Sequence, residues 1–154
     1  MLSIGLSAII VLIASILLST LLQSRIKNQT ILEVEQTGAN TLEVITQSVR
    51  NATAVIAPSP GQNGAALSLQ EPIIAKDPTA FDLVSGAMRI SEGGGVPVAL
   101  SSSRVVVSGL TFSNVSASGT HGAVRIQFTV SAVNNSGRNE YDYSKVFYGT
   151  ASIR

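Results

Sequence analysis

From Met1 to Ser24 the sequence carries no charged side chain, and its apolar run extends from Leu2 through Ile9-Ile10-Val11-Leu12-Ile13 to Leu21-Leu22. About 20 apolar residues in a helix cross a hydrocarbon layer of about 30 Å, so residues 1–24 are long enough to span one. A secretory signal peptide fits less well. Its basic leading region and small-residue cleavage site are missing, and the run exceeds the usual apolar stretch of about 7–15 residues. Residues 1–24 therefore read as a helix embedded in a membrane or packed among copies of itself. Small residues recur at four-residue spacing at Ser3 and Ser7 and at Ser15 and Ser19, which lets helix backbones approach closely in apolar surroundings.

The pattern changes at Arg25 without a breaker. Apolar or small residues recur in steps of three or four at Ile31, Val34, Gly38, Leu42, Ile45, Val49, Ala52 and Ile56. Polar residues such as Glu33, Glu35, Gln36, Asn40, Glu43, Gln47 and Arg50 lie between them. This is one stripe of an amphipathic helix. The stretch Pro58-Ser59-Pro60-Gly61 then stops it. The spacing predicts a continuous helix over about residues 2–57: a half-helix over 1–24 and an amphipathic half over 25–57. Gly38 costs about 1 kcal/mol against alanine in such an interior. It marks either a bend or a place where a strand crosses closely.

Beyond Gly64 the period shortens to two. Val124, Ile126, Phe128, Val130 and Ala132 alternate with polar residues, and Arg104–Phe112 forms a second strand bent or bulged at Gly109. The turn-rich segment Ser116–Gly122 joins them as a hairpin. Shorter strands are expected at 65–70, 81–84, 87–91, 97–100 and 145–153. One apolar face per strand predicts an antiparallel sheet over 58–154 packed on the helix stripe. The fold class is thus α+β.

Composition narrows the chemistry. The chain has 154 residues, no cysteine, one histidine, 12% charged residues and a net charge of +1. The cysteine count excludes disulfides, thiolate zinc sites and thiol nucleophiles, and the charge gives no footprint for nucleic acid. His121 lies between glycines with no catalytic partners at a recognisable spacing. Asn139-Glu140-Tyr141-Asp142-Tyr143 groups oxygen ligands without the spacing of a calcium loop. Gly93-Gly94-Gly95 lacks the Lys-Ser/Thr of a phosphate cradle. Asn-x-Ser/Thr sequons begin at Asn28, Asn51, Asn114 and Asn134. No enzyme, cofactor, metal, nucleic acid or small-molecule substrate is expected.

An apolar and then amphipathic N-terminal helix leading into an antiparallel sheet resembles the type IV pilin and type II secretion pseudopilin superfamily. Met1-Leu2-Ser3-Ile4-Gly5-Leu6-Ser7-Ala8-Ile9-Ile10-Val11-Leu12 looks like the continuation of the prepilin signature Gly-Phe-Thr-Leu-Ile-Glu. The order of Leu110-Thr111-Phe112, the Val124–Val130 strand and the terminal Tyr148–Arg154 strand is similar to minor pilins of the W or J kind. The signature's cleavage site and glutamate would stand just upstream of Met1. Arg25 and Lys27 follow the span, which by charge alone places the C-terminal part in the cytoplasm. A basic leader of the family's kind would reverse that.

The resemblance implies a structural subunit of a thin filament. It would be held first as a single-pass protein in the inner membrane and then assembled, outside the cell or in the periplasm, with other subunits of its kind. Leu2, Ser3, Ser7, Ile10, Leu17 and Leu21 would pack in lipid or in the filament. Ile31, Val34, Gly38, Leu42, Ile45, Val49 and Ile56 would hold the sheet. The alternative is an anchored surface adhesion module that does not polymerise. That reading expects a flexible break near Asn28 or Gly38.

Overall fold

A computed structural model describes residues 2–117 and 122–154, and within the first turns it leaves out the side chains of Leu2, Ser3, Ile4, Leu6 and Ala8. Helix α1 runs without a break from Leu2 to Asn51. At 1.5 Å per residue its 50 residues make a rod of about 75 Å. Neither Asn28 nor Gly38 interrupts it.

The strands that follow form two antiparallel sheets. One carries β1 (Ala54–Ala57), β3 (Leu67–Gln70), β4 (Thr79–Val84), β5 (Ala87–Glu92) and β6 (Val98–Ala99) in that spatial order. The other carries β2 (Asn63–Gly64), β7 (Val105–Asn114), β8 (Ala123–Ala132) and β9 (Ser144–Ser152). The single sheet expected from the alternation is thus divided. The β7–β8 hairpin forms as expected, with a bulge between Ser108 and Thr111 where Gly109 takes a φ of +61°. The connection between the two strands contains residues 118–121, which, His121 among them, lie outside the described residues.

The two sheets and the helix share one core. Phe81, Leu67, Leu69 and Met88 come from the first sheet, and Phe112, Val124, Ile126, Phe128 and Val130 from the second. Val34, Ile45, Val49 and Ala52 come from α1. Strand β9 follows the helix in the same direction: Lys145 lies at Glu35, Phe147 at Gly38 and Gly149 at Leu42. Gly38 therefore marks a close crossing, with the Phe147 ring seated where a side chain would begin. That ring stacks on Phe128 at a centroid distance of 5.5 Å.

Two expectations need correction. The helix ends at Asn51, not near residue 57, and Ile56 does not pack against the sheet from the helix. It lies in β1, 53% exposed. Gln70 explains the change: its carbonyl accepts both the Thr53 N–H (2.8 Å) and the Thr53 hydroxyl (3.1 Å). That capture pulls the chain into the β1–β3 ladder. Ala54-Val55-Ile56-Ala57 contains two β-branched residues that suit a strand, so the apparent helical spacing at Ile56 is coincidental.

The buried helix stripe is also more polar than the apolar spacing shows, because Thr30 and Thr41 lie in it alongside Val34, Gly38, Ile45 and Val49. Ile31 and Leu42 are half-buried at its flanks. The Thr30 hydroxyl donates to the Ile26 carbonyl at 3.0 Å. Thr41 is 2% exposed and its hydroxyl has no partner. A buried unpaired hydroxyl costs about 1–3 kcal/mol. Thr41→Val keeps the shape and removes that cost, so thermal unfolding should move upward by a few degrees. A lower melting temperature would show that the hydroxyl finds a partner after all.

Candidate functional site

The feature that sets this molecule apart is the surface of α1 below the β domain. Ile9, Ile10, Val11, Leu12, Ile13, Ile16, Leu17, Leu18, Leu21 and Leu22 are each between 52% and 65% exposed. They point in every direction around the helix, and the most apolar window has a mean hydropathy of 2.0 with none of it buried. By length and composition this segment can cross a membrane. Of the residues expected to pack there, Ser7, Ile10, Leu17 and Leu21 are exposed. The side chains of Leu2 and Ser3 lie outside the described set.

Three of its hydroxyls do not spoil the apolar surface. Ser19 donates to the Ser15 carbonyl at 2.9 Å, Thr20 to the Leu17 carbonyl at 2.8 Å, and Ser24 to the Thr20 carbonyl at 3.0 Å. Each hydroxyl is satisfied within its own helix, so none needs water.

Above Ser24 the helix meets the β domain through polar clamps that the sequence pattern does not reveal. Glu33 accepts the Ser102 hydroxyl at 2.9 Å and faces Arg104 at 3.5 Å. Glu33 and Arg104, with Ile26, Gln29, Thr30, Val105, Val133 and Tyr141, line a cleft of about 420 Å³. Glu35 accepts Lys145 at 2.8 Å and the Tyr143 hydroxyl at 3.4 Å. Lower still, the Lys27 ammonium reaches the Asn139 carbonyl at 3.4 Å. The segment from Asn139 to Tyr141 is a 3-10 turn in which Glu140 is held by Arg138 at 2.9 Å. Among the described residues no three His, Cys, Asp or Glu side chains converge to hold a metal. At Asn114 the sequon is closed: this buried amide donates to the Pro58 carbonyl at 2.8 Å.

The Lys145 hydrogen bond, followed by its charge, holds the Glu35 carboxyl below the ordinary carboxylate range. The Lys145 ammonium is correspondingly raised. A lowered carboxylate stabilises the fold fully at neutral pH, and this contribution is lost as pH falls through the lowered value. The raised ammonium contributes below the ordinary lysine value and loses its effect as pH climbs through the raised one. Lys145→Met should therefore make the melting temperature fall less steeply on acidification than it does in the parent chain. Superimposable acid limbs would show that the pair adds nothing.

The architecture is that of an α+β protein whose single long helix is half covered by antiparallel sheets and half bare and apolar. Compared with protein-family models, curated proteins and solved structures, the chain matches none.

Proposed function

We propose that this protein is a structural subunit of a filament, of the minor pilin or pseudopilin kind, held in the inner membrane by its bare half-helix before assembly. One observation carries the reading: the helix is continuous from the bare apolar half into the half that anchors the β domain. A rigid rod with a fixed head can exchange lipid for neighbouring rods and keep its head in a set place. Lipid and neighbouring helices are equally apolar, so the preference for assembly rests on close packing at small residues such as Ser7, Ser15 and Ser19. An adhesion module on a simple tether has no need of this continuity and would tolerate a flexible joint at Asn28 or Gly38, where the helix is unbroken.

Sedimentation of detergent-washed material sheared from host cells, or released from their periplasm, tests the proposal. The chain should pellet in fibres that resist detergent, and Ser15→Leu with Ser19→Leu, which keeps the span apolar but blocks close helix approach, should leave it in the membrane. Recovery only as a detergent-soluble monomer, with or without those substitutions, would favour the adhesion module instead.

A further inference from the structure

We propose that the underside of the β domain docks on the anionic lipid headgroups of the membrane that the bare half-helix enters. The inference rests on the anchorage half of the proposed function and is independent of polymerisation.

The levels along the helix coincide. From Leu2 to Leu22 the helix rises about 31 Å, close to the thickness of the hydrocarbon layer. Arg25 and Lys27, the first charged residues of the chain, follow within two turns. The β domain does not stand clear of this level. The segment between β8 and β9 descends along the rod until Arg138, Asn139 and Glu140 face Thr20, Gln23, Ser24 and Lys27 across a shallow groove. Lys27 ties the two sides together through the Asn139 carbonyl. Thr20 lies about 10 Å nearer the membrane than Lys27, so this part of the head reaches the depth of the lipid phosphates.

The charge at that depth leans positive. No acidic side chain precedes Glu33 in the sequence. Of the two acids of the descending segment, Glu140 is engaged by Arg138 and Asp142, just past the 3-10 turn, is exposed. Among the described residues Arg25 forms no ion pair, and Lys27 holds only an uncharged carbonyl. Arg25 and Lys27 thus face the interface without a salt-bridge partner, and with Arg138 they outnumber Glu140 and Asp142 by one charge. The nearby tip, Asn134-Asn135-Ser136-Gly137, is polar and preshaped: the Asn134 side chain bonds the Arg138 backbone in both directions at 3.0 and 3.1 Å. It offers hydrogen-bonding groups to phosphate and nothing apolar to insert. The expected contact is electrostatic and superficial, which calls for a negatively charged headgroup.

Because the chain lacks cysteine, two single-cysteine forms of the full chain supply the test. Asn135→Cys carries a fluorophore, and its quenching by headgroup-spin-labelled lipid reports docking. Ile13→Cys reports insertion through its protection from a membrane-impermeant thiol reagent. Each is reconstituted in phosphatidylcholine vesicles, and in vesicles containing one part phosphatidylglycerol to two parts phosphatidylcholine. Anionic lipid should raise the docked-to-undocked ratio about fivefold for each unpaired cation. Arg25→Gln with Lys27→Gln, both exposed, should abolish that rise, as should salt at about 1 M, which shortens electrostatic reach to about 3 Å.

Protected Ile13→Cys with quenching indifferent to lipid charge would overturn the inference while leaving anchorage intact. The two cations would then be free for a neighbouring protein. A rise that survives the double substitution would overturn it too. A reactive Ile13→Cys would remove the anchorage on which it stands.

Discussion

Gly38→Ala is expected to lower the melting temperature, although the same change on an exposed helix would stabilise by about 1 kcal/mol. A methyl group at this position would overlap Cζ and Cε2 of Phe147. Ordinary van der Waals separation is about 3.5–4.0 Å, so the ring must move. It has little freedom to do so, because it is buried, stacks on Phe128 at 5.5 Å and lies under the Lys145 ammonium at 5.7 Å. Overpacking of this kind costs about 1–3 kcal/mol, which exceeds the helix-propensity gain over most of that range.

Phe147→Ala should cost more, about 3–5 kcal/mol, because it leaves a cavity in the shared core. The sign of the Gly38 effect should then reverse: in a Phe147→Ala background, Gly38→Ala becomes stabilising. A double-mutant cycle by thermal or denaturant unfolding measures this coupling directly. Additive effects would mean that the ring does not rest on the glycine.

The second large effect concerns the bare half. Ile13→Asp places a carboxylate near the middle of the apolar run, where insertion becomes less favourable by about 2.5–3.5 kcal/mol. Leu32→Asp is nearly the same change in chemistry, at a residue that is also largely exposed, 63%. It falls above the membrane level, beside Glu33 and Glu35, and should leave insertion unchanged. Resistance to alkaline extraction from membranes compares the two. The first variant should lose most of its membrane-retained fraction and the second none. Equal retention would show that the bare half is not what holds the protein in the membrane.

The sequence reveals the elements with strong local periodicity and loses those that depend on distant partners. An uncharged run and a stripe at three- and four-residue spacing announce α1, and strict alternation announces β7 and β8. The end of α1 is misread because Ala52–Ala57 fits either period, and Gln70, eighteen residues beyond Ala52, decides between them. Thr30 and Thr41 were hidden by their polarity, though both stand at the spacing of the stripe. The clamps Glu33–Arg104 and Glu35–Lys145 and the Lys27–Asn139 contact join residues far apart in the chain. No periodicity encodes such pairs; only the folded β domain brings them to the helix.

The shared direction of β9 and α1 has a consequence for self-association. The bonds from Ala132 to Tyr143 and from Ile153 to Gly122 fix the phase of the β8–β9 ladder. Ser144, Val146, Tyr148, Thr150 and Ser152 then turn their backbone groups away from β8. That is a long open edge, the sort of template on which strands of separate molecules zip together. If two copies zipped antiparallel along it, their rods would point in opposite directions and their bare halves would leave the pair at opposite ends. Molecules rooted in one membrane with their heads on the same side cannot meet that way. On the proposed anchorage, the membrane would thus guard an aggregation-prone edge that the β domain leaves open.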